Sequence, residues 1–259
     1  MKSENQGYFE GYTSQPMPPP YSANYIANDP FVETPFRGLD DKNIRRGFIR
    51  KVFSILLVQL SITFGFTLMA MRFNKLHVFL KNNPGLYFAS YIVFLVTYIT
   101  LACCKNVARK TPWNYAFLGL LTLSMTYMMA MITSFHSNEI VVVALGITIC
   151  VCFSVILFSM QTKYDFTGMI GPLFAASIAL LIFGIIAIFT SHKIVHIVYG
   201  ALGAILFSAF LAVDIQMIMG GRKYEINPED YIFGALMLYL DIVYIFIYIL
   251  SIFSSARGD

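Results

Sequence analysis

Long apolar segments alternate with short polar segments along most of the chain. A helix needs roughly 20 apolar residues to cross the ~30 Å hydrocarbon core of a bilayer. Seven segments meet this requirement, at residues 52–71, 86–104, 114–134, 140–160, 169–190, 194–219 and 231–254. Because the polar segments between them are short, consecutive helices should pack as antiparallel neighbours. The pattern therefore predicts an all-α membrane protein built as a seven-transmembrane-helix bundle.

The composition supports the same fold class. Of the 259 residues, 58% are hydrophobic and only 12% are charged, about half the charged fraction of an average soluble domain. A chain with so little charge is poorly suited to be a soluble enzyme, a nucleic-acid-binding protein or a disordered scaffold. We therefore expect its main surroundings to be membrane lipid, and we expect no nucleic-acid partner.

The N-terminal region differs from the rest of the chain. Residues 1–46 contain six of the ten prolines and no apolar run, so we predict a disordered proline-rich cytosolic tail, followed by a membrane domain at 47–259. Within the tail, Pro18, Pro19, Pro20 and Tyr21 match the Pro-Pro-x-Tyr pattern that WW domains bind. The alternative is a solubilising tail whose prolines match the motif by composition alone.

Basic residues are distributed unequally between the two predicted sides of the membrane. Thirteen of the eighteen Lys and Arg residues fall on the side of the N-terminus. Cytoplasmic loops are enriched in Lys and Arg, so this distribution predicts a cytosolic N-terminus. Seven crossings would place the C-terminus on the opposite side, unless the last segment, which contains an acid, re-enters instead of crossing.

Two acids lie inside predicted spans. Asp214 is in the sixth span and Asp241 in the seventh. An aspartate at the centre of a spanning helix costs about 2.5–3.5 kcal/mol on insertion scales, and such residues usually face a cavity and carry function. The alternative is a protonated acid that is merely tolerated. Two such acids on consecutive helices favour a functional pair, and antiparallel packing places them at similar depths.

The aspartates have no basic partner inside any predicted span. Two carboxylates in a low dielectric do not both ionise, so the pair should share a proton or bind a cation. Ca²⁺ prefers six to eight oxygen ligands, and two carboxylates supply at most four. We therefore predict weak, proton-competed Ca²⁺ binding by Asp214 and Asp241. Small residues at 200, 204, 208 and 212 should let a neighbouring helix approach the sixth span closely.

Gln59 and Glu139 are secondary candidates for the ion path. Gln59 lies one turn before Thr63 on the first span, where a hydrogen bond between helices would explain it equally well. Glu139 begins the fourth span, where a carboxylate complements the helix dipole, and this structural role is the favoured one.

Four segments together resemble a known family: Thr111–Asn114, Met160–Gly168, Phe210–Gln216 and Glu229–Ile242. They are similar to the transmembrane Bax inhibitor motif family, and the proline-rich tail is similar to its lifeguard branch. The resemblance implies six helices surrounding the seventh, with the family's paired aspartates at Asp214 and Asp241. It also implies a pH-sensitive calcium leak channel or exchanger in Golgi, ER or endolysosomal membranes that suppresses apoptosis, with anti-apoptotic proteins as partners.

Two other functions compete with a calcium leak. One is a non-conducting anti-apoptotic adaptor that acts through its tail. The other is an intramembrane aspartyl protease. The motifs of that class look like Tyr-Asp on one helix and Gly-x-Gly-Asp on the next, followed by Pro-Ala-Leu. Here the contexts are Val213-Asp214 and Leu240-Asp241, and the sequence contains no Pro-Ala-Leu. We therefore expect no enzymatic activity and no cofactor, with calcium as the transported ion.

Overall fold

A computed structural model describes residues 35–190 and 192–257, with side chains from Lys42 onward. Residues 44–259 form one compact unit, and every contact given below lies within it. The helices are α1 Pro35–Arg72, α2 Asn74–Asn82, α3 Pro84–Cys103, α4 Lys105–Arg109, α5 Trp113–Ser134, α6 Asn138–Gln161, α7 Ile170–Ile188, α8 Lys193–Met219 and α9 Tyr231–Arg257. Short 3₁₀ turns at Thr167–Met169 and Pro228–Asp230 precede α7 and α9.

Seven of the described helices are long and apolar enough to cross a membrane: α1, α3, α5, α6, α7, α8 and α9. This confirms the all-α fold class and the predicted seven spans. The last of them, α9, is continuous over 27 residues. At 1.5 Å per residue it extends about 40 Å, which exceeds the ~30 Å core of a bilayer. Its length therefore fits a crossing better than a re-entrant segment.

The first helix begins earlier than the sequence pattern suggested. It starts at Pro35, so residues 35–46 of the predicted tail are helical. Proline is well tolerated in the first turn of a helix because its missing N–H has no partner to lose there. Residues 1–34, including the motif at Pro18, Pro19, Pro20 and Tyr21, lie outside the described residues. The tail and its WW ligand therefore stay predictions.

The centre of the bundle is shared by two helices. Among the long helices, α5 and α9 are the most buried. The last helix packs extensively on α8 and also on α6 and α5, while α3 packs on α5 and α7 packs on α8. Because α5 is as deeply buried as α9, the arrangement of six helices around the last one stays a prediction.

The outer surface of the bundle is apolar. Ile188, Phe189 and Ile194, for example, are 78%, 85% and 74% exposed. Soluble monomers rarely expose large contiguous apolar surfaces, whereas a lipid environment accommodates them without cost. The exposed apolar surface and the seven long helices identify a multi-pass integral membrane protein.

Small residues allow α8 and α9 to approach each other closely. A Cβ atom added at Gly200 would lie 3.0 Å from the carbonyl oxygen of Tyr248, and one added at Gly203 would overlap the ring of Tyr248. Gly200 belongs to the small-residue series predicted from the sequence. The tightest contact, at Gly203, lies one residue off that series and depends on where the Tyr248 ring packs.

We expect Gly203→Ala to lower the free energy of unfolding by about 1–3 kcal/mol, because extra atoms in a close-packed interface force side chains or backbone to shift. Thermal unfolding of the purified protein in detergent measures the change. Gly146→Ala on α6 is the matched control, since a Cβ there meets no atom within 4 Å. Equal stability of the two variants would show that the close approach at Gly203 is not needed.

Candidate functional site

Asp214 and Asp241 meet inside the bundle. Their carboxyl groups contact each other directly, and the two residues are only 5% and 6% exposed. Asp214 lies five residues before the end of α8 and Asp241 ten residues after the start of α9, which is about 8 Å and 15 Å along the helix axes. The antiparallel packing of α8 and α9 turns these two positions into neighbours.

Among the described residues, the pair has no basic side chain beside it in the cavity. No Lys, Arg or His lines its cavity in the described part of the chain. Asp241 Oδ2 is buried and has no hydrogen-bond partner among the described residues. Two carboxylates in contact and out of water do not both keep a negative charge, so they are expected to share one proton. With one shared proton the pair carries a single negative charge.

A cavity of about 510 Å³ extends from the pair. Four helices line it, and most of its surface is aromatic or aliphatic. The polar side chains on its wall, besides the two acids, are Tyr98, Ser177 and Tyr244. The complete lining is Phe94, Leu95, Tyr98, Ile170, Ser177, Phe207, Phe210, Val213, Asp214, Met217, Phe233, Met237, Leu240, Asp241 and Tyr244.

Beyond the pair, aromatic side chains fill the space between α8 and α9. The ring of Phe207 lies 4.7 Å from the ring of Tyr244 and 5.6 Å from that of Tyr248. Tyr199 continues the series with its ring 5.5 Å from Tyr248. We call these four residues the aromatic cluster. The aromatic cluster lies toward the start of α8 and the end of α9. Its rings fill the α8–α9 interface on that side of the acid pair.

Gln216 fixes the loop that precedes α7. Its Oε1 accepts a hydrogen bond from Phe166 N at 2.7 Å, and its Nε2 donates to Tyr164 O at 2.9 Å. Gln216 lies two residues after Asp214 on α8 and is almost completely buried. This role was missed in the sequence, where the available signal was an amide within an apolar helix beside an aspartate.

Asp165 holds the same loop against the segment that follows α8. Its carboxylate accepts hydrogen bonds from Thr167 Oγ1 at 2.6 Å, Thr167 N at 2.9 Å and Lys223 N at 3.0 Å. These bonds, the Thr167 hydroxyl first, hold the pKa of Asp165 below its usual range. A depressed pKa keeps Asp165 ionised as the pH falls to mildly acidic values, so its contacts are lost only in stronger acid.

Gln59 and Glu139 lie away from the pair. Gln59 donates to Thr122 Oγ1 at 2.9 Å and lines a separate cavity beside α1 and α5. Its contact is the hydrogen bond between helices that the sequence offered as an alternative. Glu139 is in the first turn of α6 and pairs with Arg257 at 3.0 Å. Neither residue lines the cavity of Asp214 and Asp241, so the geometry does not favour a place for them in the ion path.

We expect Gln216→Leu to lower the unfolding free energy by about 1–3 kcal/mol, because it leaves a buried N–H and a carbonyl without partners. Hydrogen exchange at Phe166 should accelerate in this variant. Gln161→Leu, at the exposed end of α6, is the control and should leave both quantities near wild type. Unchanged exchange at Phe166 in Gln216→Leu would contradict the assigned role.

Comparison with known proteins gives the family. The model of the family described as inhibitor of apoptosis-promoting Bax1 matches residues 45–258. Protein lifeguard 3 of Mus musculus is 41% identical over 246 residues, covering 93% of this chain and 80% of the relative. Its human counterpart is 40% identical over 263 residues, covering 95% and 83%. The Golgi anti-apoptotic protein of Vaccinia virus (strain Lister) is 29% identical over 210 residues, covering 81% and 86%. The chain belongs to the Bax inhibitor family, as the four sequence segments predicted, and two of these relatives are lifeguard proteins.

Proposed function

We propose that this protein is a proton-sensitive calcium leak channel or exchanger of an intracellular membrane, which lowers stored calcium and thereby suppresses apoptosis. The single observation that carries the proposal is the contacting, buried pair of Asp214 and Asp241, which has no basic partner in the part of the chain that the structure describes. The names of two kinds of relative add to it, since one is a lifeguard protein and another is a Golgi anti-apoptotic protein. A Golgi, ER or endolysosomal membrane, with the N-terminus in the cytosol, is the proposed setting.

The charge of the pair explains how a proton and Ca²⁺ compete. With one shared proton the pair is singly negative, and loss of that proton leaves two charges that one Ca²⁺ ion neutralises. The two carboxylates supply at most four of the six to eight oxygens that Ca²⁺ prefers. Water and the hydroxyl groups of Tyr98, Ser177 and Tyr244, which line the cavity, are the available further oxygen ligands. Binding is therefore weak, which suits passage better than storage.

Protons act as the closing ligand in this scheme. Acidification adds a second proton to the pair and removes its negative charge, so Ca²⁺ loses its site. The aromatic cluster of Tyr199, Phe207, Tyr244 and Tyr248 bars the route on the other side of the pair. Conduction requires these rings to move, because Phe207 and Tyr244 line the cavity and pack on each other. The arrangement described here is accordingly the closed one.

Calcium flux into liposomes that contain the purified full-length protein tests the proposal. Wild type should conduct at neutral pH and lose flux as the pH falls. Asp214→Asn and Asp241→Asn should each reduce the neutral flux by about tenfold or more, since each removes a charged ligand. Both variants should also change the pH dependence of the remaining flux, because the remaining acid titrates alone and no longer shares a proton with a second one.

Glu139→Gln is the matched control in this assay. Glu139 is exposed and bonded to Arg257, so its neutralisation should leave flux and pH dependence near wild type. Equal flux in wild type and both aspartate variants would remove the pair from the mechanism. A flux change confined to Glu139→Gln would place the path elsewhere.

The tail motif supports a second candidate function, an adaptor that binds WW domains through Pro18, Pro19, Pro20 and Tyr21. Tyr21→Ala separates the two candidates, because it should abolish binding to a WW domain without changing calcium flux. If this variant loses anti-apoptotic activity in cells while it conducts normally, the adaptor is the working function. Cleavage of a reporter helix that depends on both aspartates would instead favour a protease.

A further inference from the structure

The cavity beside Asp214 and Asp241 is larger and more apolar than a metal ion requires. Six of its fifteen lining residues are aromatic: Phe94, Tyr98, Phe207, Phe210, Phe233 and Tyr244. Its volume of about 510 Å³ falls within the roughly 300–1,000 Å³ typical of sites for small organic molecules. Such sites combine an apolar wall with a few polar groups that fix orientation. Here the polar groups are concentrated at the acid pair.

Helices α3 and α7 both contribute to the cavity wall, and the cavity is expected to open between them. Phe94 and Tyr98 of α3 line it on one side, and Ile170 and Ser177 of α7 line it on the other. These helices pack elsewhere, α3 on α5 and α7 on α8, and they do not pack extensively on each other within the described residues. Tyr98 and Ile170 remain 37% and 39% exposed. Because both helices are apolar spans, the gap between them faces lipid.

The charge in the cavity selects the head group of a ligand. Asp241 Oδ2 is a buried acceptor without a partner among the described residues, and no basic side chain lines the cavity. A primary ammonium supplies three hydrogen-bond donors and one positive charge, which suits a wall that carries two buried carboxyl groups and, among the described residues, no base. Aromatic faces such as that of Tyr244 also attract an ammonium through their quadrupoles.

We propose that the cavity binds a membrane lipid with a single alkyl chain and a primary ammonium head, the chemistry of a sphingoid base. The ammonium bonds to Asp214 and Asp241, and the chain runs along the aromatic wall and out between α3 and α7. The acid pair repels a carboxylate or phosphate head group. An alcohol head group would leave the negative charge of the acid pair without a partner. This inference goes beyond the calcium path and does not depend on conduction.

Photolabelling of the purified full-length protein in nanodiscs tests the site. The probe is hexadecylamine that carries a diazirine in its chain, and the controls are the alcohol and the carboxylic acid of the same chain and diazirine. The amine should label wild type about tenfold more than the alcohol, since a charge-assisted bond is worth roughly that factor. Mass spectrometry should place the adducts on cavity residues of α3, α7, α8 and α9.

Two variants separate the site from effects on folding. The double variant Asp214→Asn/Asp241→Asn removes both carboxyl groups and should bring amine labelling down to the level of the alcohol. Ser177→Trp keeps both acids but fills the mouth of the cavity, and it should abolish the preference for the amine. Ser154→Trp is the matched control, because Ser154 is an exposed residue of α6 that lies outside the cavity; it should label like wild type.

Three results would overturn the proposal. They are equal labelling of wild type by amine and alcohol, an undiminished amine preference in both the double aspartate variant and Ser177→Trp, and amine adducts that map outside the cavity. Because no measurement in this experiment involves calcium, its failure leaves the leak proposal standing. Conversely, specific amine labelling in a protein that shows no calcium flux would establish the lipid site alone.

Discussion

Two buried carboxyl groups are in contact, with no base beside them among the residues that the structure describes, and this contact is the constraint on which the rest of the structure depends. A basic partner would keep Asp214 and Asp241 in one charge state. Two adjacent buried acids instead need a shared proton or a bound cation to stay near neutral. Their contact requires α8 and α9 to pack closely and in register. Gly200 and Gly203 lie against Tyr248 and permit that approach. The small residues of α8 are therefore needed for the two acids to come into contact.

The two faces of α9 have different tasks. Tyr239 and Asp241 are two residues apart, which places them about 200° apart around the helix. The hydroxyl of Tyr239 lies 2.8 Å from Thr63 Oγ1, which is 3.0 Å from Thr126 Oγ1. That face is joined to α1 and α5 by satisfied hydroxyl groups, the usual polar contacts between membrane helices. The opposite face carries Asp241, whose Oδ2 has no hydrogen-bond partner among the described residues, so one side of α9 is held by hydrogen bonds and the other carries the acid.

The spans could be predicted from the sequence because bilayer thickness sets the minimum length of a spanning helix, and that length is visible as an apolar run. The third span, predicted at 114–134, is observed at Trp113–Ser134, and the sixth, predicted at 194–219, at Lys193–Met219. Depth along antiparallel helices also sufficed to bring Asp214 near Asp241. Side-chain partners could not be predicted from the sequence. The hydrophobic pattern does not determine how each helix is rotated about its axis relative to its neighbours. For this reason the hydrogen bond of Gln59 to Thr122 remained one of two alternatives. The hydrogen bonds from Gln216 to the loop before α7 were not predicted at all.

Infrared spectroscopy of the purified protein tests the central claim most directly, since a protonated carboxyl group absorbs separately from a carboxylate. At neutral pH the wild type should show a protonated-carboxyl band that is absent from the double variant Asp214→Asn/Asp241→Asn. Addition of Ca²⁺ should remove this band, because the ion displaces the shared proton. A wild type without the band, or a band that persists at saturating Ca²⁺, would contradict the exchange of a proton for a metal ion.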